Sequence, residues 1–430
     1  MKKFLPILIF FFAITSNVLS QGTLTNITFF SNSLETNRYV QIYLPEGYNP
    51  GDSTRYPVIY LLHGASGDHN SFPWLKNILD DLIGNNYISP VIVVKPDGST
   101  EYWGVSMFTN SELYGNFEDY IVSDLVEFID SAYKTITNRG KRAIWGASMG
   151  GFGSIKLALK YPDIYCAAAS HSGLLDFSHL VDWVPAILNE NGGPPVNNYI
   201  PGPDNFTRLF YMCAGAFSPN MTNPPYYVDF PLDSMGIFID SVFNRWQQHN
   251  PVRLAANLPS NTDLAIYFDC GMQDEVLLYP FNTGFADSLD LLGIDYVFES
   301  FNGTHYSEAL NRVPIALMFL DSVMNTVTGV FSDYNNIVSN FNLSQNYPNP
   351  FNPTTTIKYS IPKLSFVTIK IYDLLGCEVA TLVNEEKPAG TYEIEFNGHS
   401  DEGQNLTSGV YFYKLRAGNY VETKKMILLR

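Results

Sequence analysis

The sequence predicts an α/β fold, with a doubly wound and mostly parallel sheet, a cap insertion and a small all-β sandwich at the C-terminal end. Between residues 55 and 325, short β-branched runs alternate with helix-length amphipathic segments, which is typical of a parallel sheet with helical crossovers. From residue 342 the pattern changes to alternating strands with tight turns. The 430 residues also exceed the usual size of one hydrophobic core, which favours two domains.

The first strand predicted in the larger domain is the apolar run 57–62, which ends at His63. Continuous apolar runs are typical of strands that are covered on both faces. In such a sheet, ligands bind beyond the carboxyl ends of the strands. The other predicted strands lie at 91–94, 142–145, 166–169, 264–270 and 296–301, and the predicted helices at 114–133, 150–160, 280–292 and 307–324.

Residues 174–260 interrupt this alternation with glycine, proline, asparagine and scattered aromatic residues. Long connections without secondary structure are uncommon in compact domains, so we expect a cap over the strand ends, inserted in a domain that spans 21–325. A polar linker at 326–341 leads to the sandwich at 342–430. Five strands are predicted there, at 357–361, 367–372, 391–396, 410–415 and 424–429.

Residues 1–20 predict a cleaved secretory signal peptide. Lys2 and Lys3 precede an apolar run at 4–14 that is too short to span a membrane stably. A buried N-terminal strand or helix is the alternative, but a basic start before an unbroken apolar run favours export. We therefore expect a secreted or cell-surface protein.

The net charge of −17 limits the classes of molecule that the protein is expected to bind. Residues 342–430 hold nine basic and nine acidic residues, so the excess of acid lies in the remainder of the chain. An acidic surface repels phosphate backbones and anionic lipids, which argues against nucleic acid and membrane surfaces as partners. Neutral or sugar-like substrates stay compatible with this charge.

The four cysteines do not require disulfides, although Cys213 could pair with Cys166 or Cys270. Cys377 lies in the C-terminal part. The sequence has no CxxC motif and no His/Cys spacing of the kind that binds zinc. We therefore expect neither a metal nor a cofactor.

The main chemical signal is Gly146-Ala147-Ser148-Met149-Gly150, which lies between a predicted strand and a predicted helix. Small residues on both sides of a serine, at a strand-to-helix turn, are typical of a nucleophile elbow, in which the hydroxyl projects above the sheet. A glycine- and serine-rich turn without chemistry is the alternative. The position of this turn at a strand end favours the elbow.

A serine nucleophile needs a base, and the base needs a carboxylate that orients it. His305 is our choice of base because it follows the last predicted strand, and His171 is its rival. Asp274 is our choice of acid because it lies beyond the end of a predicted strand. Asp269, within that strand, is the runner-up and Glu275 comes third.

Backbone amides should stabilise the oxyanion of the tetrahedral intermediate. Met149, directly after the serine, and Ala65, in the small-residue loop 63–67, are the predicted donors. Tyr102 and Trp103 follow another strand end. These two aromatic side chains either form the floor of a substrate pocket or pack under the cap.

Taken together, several motifs resemble the secreted branch of the putative esterase family, which includes feruloyl and acetylxylan esterases, S-formylglutathione hydrolase, tributyrin esterases and mycolyltransferases. The resemblance covers about residues 23–325 and implies an α/β-hydrolase fold with Ser148, Asp274 and His305 as the triad. The chain departs from the family in its long cap and in Thr304-His305-Tyr306, where Gly-His-Ser is usual. The motifs lie at 63–67, 95–98, 146–151, 269–274 and 303–305.

The tail resembles the C-terminal sorting domain of the type IX (Por) secretion system. This resemblance implies that 342–430 is an export signal read by the type IX machinery and removed on release or surface attachment. A carbohydrate-binding sandwich is the alternative, but no row of exposed aromatics is evident. The similar segments are 345–353, 372–376, 389–392, 408–413 and 424–427.

These observations predict a secreted serine esterase that acts through an acyl-enzyme. We expect its substrates to be acetyl, feruloyl or other acyl esters of plant polysaccharides or of similar neutral compounds. One alternative is an acyltransferase of the same fold, in which an alcohol resolves the acyl-enzyme. A non-catalytic surface binding protein that kept the fold is the other.

Overall fold

The computed structural model divides the chain into two compact units. One comprises Met1–Leu310 and Ala316–Asn325, and the other comprises Asn311–Ile315 and Thr326–Arg430. The predicted signal peptide lies outside the described residues, as does almost all of the predicted linker. The described residues are 21–203, 205–259, 262–325, 341–361, 365–387, 390–398, 406–418 and 420–429.

The described residues of the first unit form ten strands. They are β1 (Thr23–Ser31), β2 (Thr36–Leu44), β3 (Val58–Leu62), β4 (Ile92–Pro96), β5 (Asn110–Ser111), β6 (Gly115–Asn116), β7 (Arg142–Ala147), β8 (Ala167–His171), β9 (Ala265–Gly271) and β10 (Val297–Phe301). Eight of them form one sheet in the order β1-β2-β4-β3-β7-β8-β9-β10. The pairs from β4 to β10 are parallel, which confirms the predicted mostly parallel sheet.

The complete burial of the central strands explains why the sequence predicted them. Every residue of β3, β4, β7, β8 and β9 is buried, as expected for strands that are covered on both faces. The chain leaves β3 for β4 on one side and then returns to β7 on the other side of β3. The end of β7 therefore lies at a reversal of the strand order, where open α/β sheets bind ligands.

Sequence analysis missed β1 and β2, which pair antiparallel at the edge of the sheet. Most residues of β1 are exposed, so this strand has no continuous apolar run. β2 also pairs antiparallel with β4, so the β1–β2 hairpin extends the sheet at this edge. Edge strands of this kind give a weaker sequence signal than fully buried strands.

The helices of this unit are α1 (Leu75–Gly84), α2 (Phe117–Asp119), α3 (Val126–Ala132), α4 (Met149–Lys160), α5 (Val184–Glu190), α6 (Phe206–Phe217), α7 (Asp240–Trp246), α8 (Pro251–Ala255), α9 (Tyr279–Leu292) and α10 (Ala309–Asn325). The predicted helix at 114–133 is wrong in its first turn, because Gly115 has a φ of 100° and belongs to β6. A π-helical segment, Tyr120–Leu125, separates α2 from α3.

Between β8 and β9 the chain forms helices α5 to α8, and buried aromatic side chains pack among them. The Trp246 ring lies 5.5 Å from Phe210 and 5.5 Å from Phe217, measured between ring centroids. Helix α6 also packs on the segment that follows β4, where the Tyr114 hydroxyl donates a hydrogen bond to the Met212 carbonyl at 3.0 Å. This packing positions α6 near the carboxyl end of β4.

The described residues of the second unit from 341 onward form antiparallel strands, as predicted. They are β11 (Asn342–Leu343), β12 (Thr354–Ile361), β13 (Ser365–Tyr372), β14 (Glu378–Lys387), β15 (Gly390–Asn397), β16 (Gly409–Ala417) and β17 (Tyr420–Leu428). They form the sheets β11-β12-β15 and β14-β13-β16-β17. Alternate residues of β12 and β13, including Ile357 and Ile369, are fully buried. Sequence analysis missed β11, which is only two residues long, and β14, which has one buried residue.

All four cysteines are free, so Cys213 pairs with neither Cys166 nor Cys270. Those three thiols are buried and Cys377 is exposed. Burial raises the pKa of Cys213 to about 12. Among the described residues, no helix is both long and apolar enough to cross a membrane.

Candidate active site

Ser148 lies at the sharp turn between β7 and α4. Its φ of 56° and ψ of −117° are a backbone conformation that residues with a side chain rarely adopt. Strain of this kind persists where the surrounding structure holds the residue in place, and it is common at active sites. The Ser148 side chain is only partly buried, unlike those of its neighbours Ala147 and Met149.

Two glycines make this turn possible. A β-carbon at Gly146 would collide with the backbone of Gly150, and a β-carbon at Gly150 would collide with the Leu62 carbonyl at the end of β3. The start of α4 therefore packs directly on the backbone of β7 and β3. The glycines on both sides of Ser148 are explained by these close approaches.

The elbow is also fixed to the next strand, because the Ser148 N–H donates a hydrogen bond of 2.8 Å to the carbonyl of His171. Met149 begins α4. The first N–H groups of a helix have no acceptor within the helix, so the Met149 amide lies where a helix start favours negative charge.

His305 and Asp274, which sequence analysis selected, form a buried pair. The His305 Nδ1 lies 2.7 Å from the Asp274 Oδ2. A carboxylate only accepts hydrogen bonds, so these partners assign the proton of the neutral ring to Nδ1 and leave Nε2 as its basic nitrogen. The third candidate, Glu275, accepts a hydrogen bond of 2.9 Å from the His305 backbone N–H.

Asp274 is held as a carboxylate. Burial by itself would raise its pKa, but the hydrogen bond from His305, the charge of that ring and the amides of Val276 and Leu278 together lower it below its ordinary value. The Val276 N–H lies 2.9 Å from Asp274 Oδ1. The carboxylate is therefore suited to hold the imidazole ring and to balance a positive charge on it.

The two rivals, His171 and Asp269, form a second pair. The His171 Nδ1 lies 2.5 Å from Asp269 Oδ1, and the Tyr267 hydroxyl donates a hydrogen bond of 2.8 Å to Asp269 Oδ2. The other ring nitrogen of His171, Nε2, lies 3.1 Å from the backbone carbonyl oxygen of His305. His171 therefore contacts the loop of His305 but directs its second nitrogen at a carbonyl group.

The loop after β3 lies beside Ser148. A β-carbon at Gly64 would be 3.6 Å from the Ser148 β-carbon. His63 fixes this loop, since its Nε2 accepts the Gly98 N–H at 2.8 Å and its Nδ1 donates to the Gly64 carbonyl at 2.7 Å. Burial lowers the pKa of His63, which favours the neutral ring that both bonds require. In a planar trans peptide, the Ala65 N–H points away from that Gly64 carbonyl.

Sequence reasoning gave no role to Tyr306, although it noted the unusual residue after His305. A β-carbon at Gly64 would be 2.6 Å from the Tyr306 hydroxyl. Burial raises the pKa of this phenol, and the nearby Ser148 side chain partly offsets the rise. The hydroxyl therefore lies between the Gly64 loop and the Ser148 side chain.

The two candidate pocket residues differ. Tyr102 is exposed, whereas the Trp103 ring stacks on Tyr211 of α6 with ring centroids 6.0 Å apart. The Arg208 guanidinium lies 5.3 Å from the centre of the same indole. Trp103 thus packs against the helices between β8 and β9, while the side chain of Tyr102 stays accessible to a ligand.

The described residues contain no group of three or more His, Cys, Asp or Glu side chains that could hold a metal ion. A serine at a strained elbow, a buried His–Asp pair and amides at a helix start are together the components of acyl transfer.

Comparison with known proteins agrees with this geometry. Residues 31–310, well over half of the chain, match the family model described as Putative esterase. The chain belongs to this esterase family. Residues 345–429 match a second model, described as Secretion system C-terminal sorting domain. Both resemblances that were noted in the sequence are thereby confirmed.

Individual relatives from the curated proteins match only parts of this chain. An esterase of Mycobacterium tuberculosis is 34% identical over 177 residues, which are 38% of this chain and 37% of that protein. An endo-1,4-beta-xylanase/feruloyl esterase of Xylanibacter ruminicola is 32% identical over 156 residues, which are 34% of this chain and 21% of that protein. The chain thus spans well under two thirds of these relatives.

A solved structure named ferulic acid esterase superimposes with a TM-score of 0.52 at 19% sequence identity. The match covers 70% of this chain and 99% of that one. The likeness confirms the α/β-hydrolase fold of the larger unit.

Proposed function

We propose that this protein is an exported serine esterase that works through an acyl-enzyme, with Ser148 as nucleophile, His305 as base and Asp274 as the orienting acid. One observation carries the proposal. Buried Asp274 holds the His305 ring, and the loop that carries His305 lies within hydrogen-bond distance of His171, whose backbone carbonyl also accepts the Ser148 N–H.

In the first half of the reaction, the Ser148 hydroxyl oxygen attacks the carbonyl carbon of the ester, and His305 Nε2 takes the hydroxyl proton. Asp274 stabilises the imidazolium that forms. The tetrahedral intermediate then collapses, the bond to the alkoxy oxygen breaks, and His305 returns its proton to the departing alcohol. The products are the free alcohol and an acyl group on Ser148.

In the second half, water takes the place of the alcohol. His305 removes a proton from the water as its oxygen attacks the acyl carbon, and then protonates the Ser148 oxygen as the acyl bond breaks. A carboxylic acid leaves and the enzyme returns to its starting form.

The negative charge on the intermediate requires donors that are already in position. The Met149 amide at the start of α4 and the Ala65 amide next to the fixed Gly64 are our assignment. We also assign a role in orienting the nucleophile to the Tyr306 hydroxyl, which lies beside Gly64 and the Ser148 side chain. Removing one such donor typically lowers kcat by about 10²–10³.

For the substrate, we propose acyl esters of neutral compounds, with feruloyl or acetyl esters of polysaccharide as the leading class. A relative carries feruloyl esterase in its name, and exposed Tyr102 offers an aromatic surface for an aryl group or a sugar ring. The excess of acidic residues outside 342–430 also favours a neutral substrate over an anionic one.

A panel of 4-nitrophenyl and methyl esters, from acetyl to feruloyl, tests the activity on the full chain and on Ser148→Ala. A fluorophosphonate probe should label the wild type at a single residue, Ser148, as mass spectrometry of the peptides would establish. Hydrolysis that survives in Ser148→Ala, or labelling at another residue, would overturn the assignment.

We further propose that 342–430 directs export through a type IX machinery, after 1–20 has directed the chain across the inner membrane. The match of 345–429 to a sorting domain supports this route. A chain that ends at 341 should stay inside the cells of a host with type IX secretion, whereas the full chain reaches the surface or the medium. Equal export of both chains would contradict the proposal.

A further inference from the structure

We propose that His171 and Asp269 form a second, charge-balanced pair that positions the base of the proposed esterase reaction. The inference rests on the proposed function, because it assigns His305 as the base. His171 does not touch the reacting atoms in this assignment, and its role is to fix the loop that carries His305.

The hydrogen-bond partners of His171 determine its protonation. Nδ1 lies 2.5 Å from an oxygen of the Asp269 carboxylate, and Nε2 lies 3.1 Å from the carbonyl oxygen of His305. Both partners are acceptors. A neutral imidazole has one N–H and satisfies only one of them, so both bonds form together only when the ring is an imidazolium.

The carboxylate supplies the matching negative charge. Asp269 is 1% exposed within β9, and the His171 ring is 3% exposed. An isolated charge at such a position would be costly, whereas a hydrogen-bonded pair without net charge is tolerated. The Tyr267 hydroxyl satisfies the second carboxylate oxygen, and the His171 ring stacks on Phe301 with an interplanar angle of 8°.

His171 thus contacts both the Ser148 elbow and the loop that carries His305. The backbone carbonyl of His171 accepts the N–H of Ser148 at 2.8 Å, and its side chain donates to the carbonyl of His305. Loss of the side-chain bond would leave the Ser148 elbow in place but free the His305 loop on that side. A displacement of about 1 Å in a catalytic group can cost about 100-fold in rate.

The ionisable groups around the ring lie on four elements. Asp269 and Tyr267 belong to β9, and Glu299 of β10 lies beside Asp269 in the strand register. Asp274 follows β9, and the His305–Tyr306 loop covers the ring, with the Tyr306 ring 6.3 Å away. Asp269 is the one group of these that the structure places in a direct ion pair with His171.

The test compares His171→Phe with His171→Gln in the full chain. Phenylalanine keeps a ring against Phe301 but removes both donors, so we expect kcat to fall about 100-fold with KM within about threefold. Glutamine has an amide that can donate to the His305 carbonyl, so the kcat of His171→Gln should be at least tenfold higher than that of His171→Phe. His179→Phe is the matched control, because His179 forms an exposed pair with Asp182 outside the site and its loss should leave kcat unchanged.

A second measurement does not depend on activity. Protein labelled with ¹⁵N-histidine should give one ring whose two nitrogens are both protonated, in the wild type and in Ser148→Ala, and this signal should be absent from His171→Phe. An unchanged kcat in His171→Phe, equal losses in both His171 variants, or a His171 ring with a single N–H would overturn the inference. Full activity in Ser148→Ala would instead refute the proposed function and leave the ¹⁵N result as the test of the pair.

Discussion

The larger unit contains two buried pairs of the same composition, His305–Asp274 and His171–Asp269. In both pairs the histidine presents Nδ1 to a carboxylate, at 2.7 Å and 2.5 Å. They differ at the other nitrogen. His171 Nε2 lies 3.1 Å from the His305 carbonyl, whereas the described residues, Ser148 included, form no hydrogen bond with His305 Nε2.

In the proposed mechanism, the environment of the second nitrogen, and not the pairing itself, separates the base from the positioning residue. A carboxylate next to a histidine is present in both cases. Only a nitrogen that is not engaged elsewhere can take a proton from Ser148. The four predictions below test whether the two pairs divide the work in this way.

The largest effect is expected for Ser148→Ala, which removes the group that the His305–Asp274 pair is proposed to serve. We expect kcat to fall by about 10⁴-fold or more, because no oxygen is left to form the acyl-enzyme. Ester hydrolysis under saturating substrate measures it. Ser131→Ala, at an exposed serine of α3, is the control that should keep full activity. Comparable activity in the two variants would refute the nucleophile.

Replacing each carboxylate in turn compares the contributions of the two pairs to kcat. Asp274→Asn should lower kcat by about 10³–10⁴, because an amide holds the His305 ring in the wrong tautomer and cannot balance its charge. Asp269→Asn should lower kcat by only about 10–100-fold, since it acts through the position of a loop. Initial rates at saturating ester give both values, and a reversed order would exchange the assigned roles.

Tyr306→Phe tests the contact between the His305 loop and Ser148. The ring is kept and only the hydroxyl beside Gly64 and Ser148 is lost, so we expect kcat/KM to fall by about 10–100-fold. Tyr39→Phe is a matched control on an exposed tyrosine that stacks on His69. If both variants keep the wild-type kcat/KM, the Tyr306 hydroxyl has no part in the reaction.

The smallest effect concerns stability against pH. The pKa of Asp274 in the folded chain lies below its ordinary value of 3.8, so the ionised carboxylate stabilises the fold. This contribution is complete above the pKa of the unfolded chain, near pH 4, and is lost as the pH falls through the folded pKa. Urea unfolding should therefore show a larger difference between wild type and Asp274→Asn at pH 7 than below pH 3. An equal difference at both pH values would count against an ionised Asp274.

The sequence was most informative where burial and backbone geometry leave few choices. The parallel sheet followed from apolar runs that β3, β4 and β9 bury completely. Gly146 and Gly150 could be interpreted because close backbone contacts around Ser148 exclude any side chain there. The edge strand β1 was missed because most of its residues face solvent.

Pairings across the fold were harder to predict. His171 and Asp269 were candidates for the site, but their partnership depends on the register of β8 against β9, which places them opposite each other. Tyr306 was noted only as an unusual neighbour of His305. Its contact with Ser148 depends on the path of a loop, and residue types alone do not specify that path.

Three of the four cysteines are buried, so one thiol of the chain is accessible to reagents. Thiolates react with maleimides, and Cys377 is the exposed one of the four thiols, on the C-terminal unit. A fluorescent maleimide added to the native chain would therefore mark that unit and not the larger unit. Separation of the dye from the larger unit on a gel would then report whether the C-terminal unit is cut away.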